Sequence, residues 1–128
     1  MRVLLDTQIL LWALIEPQRL SAQAREILED PGSDVLFSSA SIWEIAIKAG
    51  LGRADFRIDP AEIVAAAVES GFTELPVRSA AALKVATLPA HHRDPFDRLL
   101  LAQAMTEPAV FYTADAQLPR YSELVRLV

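Results

Sequence analysis

Four carboxylates in this chain fall where an α/β protein could put them to use. Asp6 closes the apolar run Val3-Leu4-Leu5, and Glu44 lies just after Val35-Leu36-Phe37. Asp97 opens the stretch Phe96–Met105, and Asp115 follows Ala109-Val110-Phe111-Tyr112. Three of the four stand at or just past the carboxyl end of a candidate buried strand, the edge where open α/β sheets bind ligands. Carboxylates gathered there repel one another unless a cation holds them. The chain has no cysteine, so any metal takes oxygen or imidazole ligands, and an oxygen set suits a hard cation.

The elements that must position these groups are readable from periodicity and punctuation. Short apolar runs predict strands at 2–5, 34–38, 72–75, 110–113 and 124–127. Helices are predicted at 8–15, stopped near Pro17, and at 22–29, capped by Ser21 and ended by Pro31-Gly32. Ser41-Ile42-Trp43-Glu44 fits a capping box for a helix over 41–50, with Gly50 or Gly52 as its stop. Further helices are predicted at 61–70 after Asp59-Pro60, at 79–87, and from Pro95 to Met105 with Asp94 as N-cap. Strands alternating with helices predict a parallel sheet covered on both faces. No repeat, low-complexity tract or linker divides residues 1–128, so one domain is expected.

Composition limits the alternatives. The hydrophobic fraction is 52%, yet no apolar run approaches the roughly 20 residues of a membrane span. Asp6, Thr7 and Gln8 interrupt the apolar start, and no signal-peptide pattern is present. Without cysteine there is no disulfide framework, which fits the cytoplasm. The net charge of −5 looks wrong for a partner of nucleic acid. Setting the four candidate acids aside leaves twelve basic against thirteen acidic residues, or −1. Bound divalent cations would invert the local field.

The chain resembles the PIN-domain ribonucleases, in particular the toxin component of VapBC-type toxin–antitoxin systems. The matching pieces occur in the family's order. They are Val3-Leu4-Leu5-Asp6-Thr7-Gln8-Ile9-Leu10-Leu11-Trp12 and Ser38-Ser39-Ala40-Ser41-Ile42-Trp43-Glu44-Ile45-Ala46-Ile47-Lys48, then His92-Arg93-Asp94-Pro95-Phe96-Asp97-Arg98-Leu99-Leu100-Leu101-Ala102-Gln103-Ala104, and Tyr112-Thr113-Ala114-Asp115. The resemblance implies a three-layer α/β/α fold with a parallel sheet of about five strands. It implies Mg²⁺- or Mn²⁺-dependent endonucleolytic cleavage of RNA, with metal-site roles on Asp6, Glu44, Asp97 and Asp115. It also implies a VapB-like antitoxin partner and a homodimer. Exposed apolar candidates for a dimer face are Leu11, Trp12 and Ile15.

Metal chemistry refines those roles. Mg²⁺ keeps several waters and usually takes only one or two protein carboxylates. Asp6 and Asp97 are the expected direct ligands. Glu44 and Asp115 are expected to bind directly or through water, to one or two ions.

Each residue also has a plainer use. Asp6 could only cap the helix after the first strand, and Glu44 could only close the capping box with Ser41. Asp94 suits an N-cap worth about 1 kcal/mol, with metal contact as an auxiliary role. Asp97 in the first helical turn favours the macrodipole. Asp115 could be a turn residue, oriented by Thr113. Lys48, Arg93 and Arg98 are candidate RNA contacts or solvated surface. His91 and His92 could suggest a metal-free ribonuclease, but adjacent residues cannot easily flank one phosphate. Trp12 and Trp43 are expected in core or dimer contacts rather than as base-stacking platforms. Two other function classes compete: an aspartyl-nucleophile phosphatase, which would need an acid where Gln8 stands, and a module that binds RNA or a peptide without cleaving it.

Overall fold

A computed structural model describes residues 1–90 and 94–128. Strands β1 (Arg2–Leu5), β2 (Asp34–Ser38), β3 (Thr73–Leu75), β4 (Val110–Thr113) and β5 (Val125–Leu127) join in one sheet. Their order is β3-β2-β1-β4-β5, and every pairing is parallel. Between them run α1 (Thr7–Ile15), α2 (Ala22–Glu29), α3 (Ser39–Gly50), α4 (Pro60–Glu69), α5 (Ser79–Val85) and α6 (Pro95–Thr106).

Strand alternation sorts the apolar side chains onto two faces. Val3, Leu5, Val35, Phe37 and Tyr112 meet side chains of α1, α2, α3 and α4 on one side. Leu4, Leu36, Phe111 and Val125 meet α6 on the other. This is a three-layer α/β/α fold. Val3, Leu4 and Leu5 are wholly buried because β1 is central and covered on both faces. Each such side chain contributes about 1.5–3 kcal/mol of burial.

The topology fixes where a ligand can sit. The chain steps from β1 to β2 to β3 in one direction, then returns through α5 and α6 to β4 on the far side of β1. Loops leaving β1 and β4 therefore diverge, and a crevice opens between their carboxyl ends. Asp6 follows β1 there, its N–H bonded to the Tyr112 carbonyl at 3.0 Å.

Most predicted elements occur with small shifts at their ends. The start of α3 differs more. Its cap is Ser38, whose side chain accepts from the Ala40 N–H, so the helix begins at Ser39 directly off β2. Ser41 is instead buried inside the helix, where its hydroxyl accepts from Thr7 at 3.0 Å. The predicted capping box does not form, because Glu44 is paired with Lys48 one turn on. Of the two candidate stops, Gly52 takes the positive φ of 67° beyond the helix end.

One packing expectation also needs correction. Leu11 is buried, because α1 packs against α3 and α4 as well as the sheet. Of the two placements expected for Trp43, the core is excluded: it stands 60% exposed on the outer side of α3. Among the described residues no helix is long and apolar enough to cross a membrane.

Candidate active site

Asp6, Glu44, Asp94, Asp97 and Asp115 line one cleft of about 340 Å³, together with Lys48. Local rules bring each of them there. Asp6 is the N-cap of α1, and its Oδ1 accepts from the Ile9 N–H at 2.7 Å. Its Oδ2 accepts from Thr113 Oγ1 at 2.5 Å. The Thr113 hydroxyl accepts in turn from the Asp115 N–H at 3.0 Å. One buried threonine on β4 thus fixes the Asp6 carboxylate and the backbone that carries Asp115. Asp115 Oδ1 also accepts from the Gln117 N–H, closing an Asx turn.

Glu44 comes from α3 and is 7% exposed. Its Oε2 pairs with Lys48 Nζ at 2.9 Å, while its Oε1 is buried with no hydrogen-bond partner among the described residues. Asp94 caps α6, its Oδ1 accepting from the N–H groups of Phe96 and Asp97. Asp97 sits in the first turn of that helix, half-buried.

The electrostatics of Asp6 are those of a charge held in an unfavourable place. Burial pushes its carboxyl up to about 6. Hydrogen bonds from Thr113, Ile9 and Ala114 pull it down, and the Asp97 carboxylate pushes it further up. Asp6 is bonded to α1 and β4, Glu44 to Lys48 of its own helix, and Asp94 to the start of α6. Consistent with that, no three His, Asp or Glu side chains among the described residues are already drawn into a ligand cluster. The cleft brings the acids together without pre-forming a cage.

Residues 3–124 match the sequence profile of the PIN domain. This chain belongs to the PIN domain family. PIN domains are generally nucleases. A search of curated proteins finds no significant match. Among solved structures the chain is similar to VapBC2 from Rickettsia felis, determined bound to a DNA fragment from their promoter. That likeness has a TM-score of 0.73 at 15% identity, covering 99% of this chain and 98% of that one. It is also similar to FitAcB from Neisseria gonorrhoeae, with a TM-score of 0.56 at 20% identity, covering 90% of this chain and 88% of that one. At such identities the likeness speaks for the PIN fold alone.

Within this PIN domain the basic candidates separate. Lys48 lines the cleft. Arg98 turns away from it and donates to the carbonyls of Pro89, Val85 and Leu88 and to the Tyr121 hydroxyl. It holds the end of α5 and the following loop to α6. His91, His92 and Arg93 lie outside the described residues.

The sequence reading passed over Thr7, Gln8 and Phe56 as site residues, yet all three line the cleft. Thr7 and Gln8 follow Asp6 directly, so their place at the start of α1 was the available signal. Phe56 comes from the loop between α3 and α4 and packs under the first apolar layer. No local pattern marks it.

Proposed function

We propose that this PIN domain is a divalent-metal-dependent endoribonuclease, the toxin of a toxin–antitoxin pair. The observation that carries the reading is Glu44: a buried carboxylate with one oxygen paired to Lys48 and the other left without a partner among the described residues. A buried unpaired carboxylate oxygen is costly, and a cation beside it removes the cost. Asp6, also buried and raised by its surroundings, gains in the same way.

The residues present fit Mg²⁺ or Mn²⁺, because the donor set is all oxygen and a cation of this class needs only one or two carboxylates. Asp6 and Asp97 would hold it directly, with Glu44 and Asp115 direct or through water, for one or two ions. When bound, the cation supplies Lewis acidity toward water and phosphate.

The chain's own groups do the rest. Thr113 fixes the rotamer of Asp6, and Lys48 keeps Glu44 oriented in the cleft while offering positive charge to a phosphate. Asp94, as cap, sets where α6 begins and therefore where Asp97 points. Hydrolysis by water attack on phosphorus leaves a 5′-phosphate and a 3′-hydroxyl. The reading carries with it a VapB-like antitoxin, a homodimer and a cytoplasmic setting. The likeness to VapBC-type assemblies supports the antitoxin.

The test is cleavage of a structured RNA by purified protein with Mg²⁺, Mn²⁺ or EDTA, followed by end analysis. Cleavage that stops with EDTA and leaves 5′-phosphates is expected. Activity surviving EDTA, or 2′,3′-cyclic phosphate ends, would overturn the mechanism. No cleavage with any metal would favour a binding module.

A further inference from the structure

We propose that Trp43 and Phe96 form a nucleobase subsite beside the acidic cleft, stacking an unpaired RNA base next to the phosphate presented to the carboxylates. This rests on the ribonuclease reading above and names where its substrate is gripped.

Successive residues on an α-helix point about 100° apart, so α3 turns Glu44 into the cleft and its neighbour Trp43 outward. The indole is 60% exposed, the most exposed aromatic ring among the large hydrophobic side chains described. It is nonetheless held in place. Phe96, in the first turn of α6, meets it edge to face with centroids 5.2 Å apart and ring planes at 67°. A held, solvent-facing aromatic surface costs little ordering entropy when a flat ligand settles on it.

The surroundings say what that ligand is. A shallow depression lined by Ile47, Pro95 and Phe96 shares Glu44, Lys48 and Asp94 with the acidic cleft. The surface therefore runs from carboxylates to an ammonium group to the Phe96 ring, against which Trp43 packs. Phosphate chemistry, phosphate charge and base stacking follow one another in that order along a nucleotide strand. Stacking on aromatic rings is open to every base and requires that the base be unpaired. A protein partner is the other conceivable occupant. However, the cores of protein interfaces are depleted of charge, and the half-exposed Lys48 and partly exposed Asp94 border this patch.

Fluorescence tests the subsite. The chain has two tryptophans, so in W12F the emission reports Trp43 alone. Titration with a 12-mer of oligouridylate in Ca²⁺ should quench it saturably, and a fully paired RNA of equal length should not. A 2-aminopurine in the strand reads the same stacking from the RNA side in the unaltered protein, should W12F fold poorly. W43A should weaken binding of the single strand roughly ten-fold or more, and W43F should restore most of it. If the oligonucleotide is cleaved with Mg²⁺ or Mn²⁺ while neither fluorophore responds, the subsite is wrong and the nuclease reading stands. If both respond but no RNA is ever cleaved, the subsite stands and the nuclease reading falls. If sedimentation shows W43A converting a stable dimer to monomer with RNA affinity unchanged, the aromatic surface is a protein interface and the proposal is overturned.

Discussion

Gln103 and Glu44 are buried to nearly the same degree, at 2% and 7% exposure, but the molecule treats them in opposite ways. Gln103 lies under the sheet on the α6 side. Its Oε1 accepts from the Ser38 hydroxyl, and its Nε2 donates to the carbonyls of Leu75 and Pro76. Both polar atoms of the amide are bonded, and it ties α6 to the ends of β2 and β3. Glu44, at the carboxyl edge, keeps one oxygen without a partner among the described residues. A satisfied buried polar group fixes architecture. An unsatisfied one is tolerated where a ligand is to complete it. That contrast separates scaffold from site within one sheet.

The sharpest way to break the contrast is at the acids themselves. Asp97→Asn should lower metal-dependent RNA cleavage about 1,000-fold, read as initial rate at saturating Mn²⁺. Activity near wild type would move Asp97 from the site to the scaffold.

Asp6 gives the next largest effect, and its sign distinguishes the two regions. Its carboxyl is raised by the fold from 3.8 to about 6. Folded protein therefore holds that proton more tightly than the unfolded chain, so the Asp6 contribution to metal-free stability is greatest below pH 4 and is lost as pH rises through 6. The cost reaches at most about 3 kcal/mol at neutral pH. Asp6→Asn keeps an acceptor for Ile9 and removes the charge. In EDTA it should unfold at higher urea than wild type at pH 8, with the advantage gone at pH 4. A variant weaker than wild type at pH 8 would mark Asp6 as a hydrogen-bonding hub.

Gln103→Leu should do the reverse. It strands the Ser38 hydroxyl and two carbonyls, so a loss of about 2 kcal/mol is expected at every pH, read from the urea midpoint. Metal-induced stabilisation should be unchanged.

Glu44→Gln has the smallest effect on the metal-free fold, under about 1 kcal/mol, because the Lys48 pair it loses is partly exposed. Its signature is the response to metal. A ligand at 100 times its Kd adds about 2.7 kcal/mol to wild type, and the melting-point rise with Mn²⁺ should shrink in the variant. An equal rise in both proteins would leave Glu44 outside the metal site.

Much of this was legible locally. Strands 34–38 and 110–113 and helix 22–29 occur with the predicted bounds, because short apolar runs and a serine cap act over a few residues. Asp6 and Asp94 do cap their helices, as their plainer readings held. The carboxylate positions were legible because a parallel register puts every strand's carboxyl end on one edge. Arg98 shows the opposite. Next to Asp97 in sequence, it points about 100° around the helix and is consumed by carbonyls of α5 and its loop. The capping box failed for a related reason: Ser38 supplied the cap earlier, and Ser41 was taken by Thr7 from another helix.

The sequence by itself determined the elements, the caps and which strand ends carry acid, since these depend on neighbours a few positions away. Only the tertiary structure decided that β1 lies between β2 and β4, that Thr113 reaches Asp6, and that one oxygen of Glu44 has no partner among the described residues. Hydrogen-bond satisfaction depends on groups distant in the chain, and no local pattern records which of them will meet.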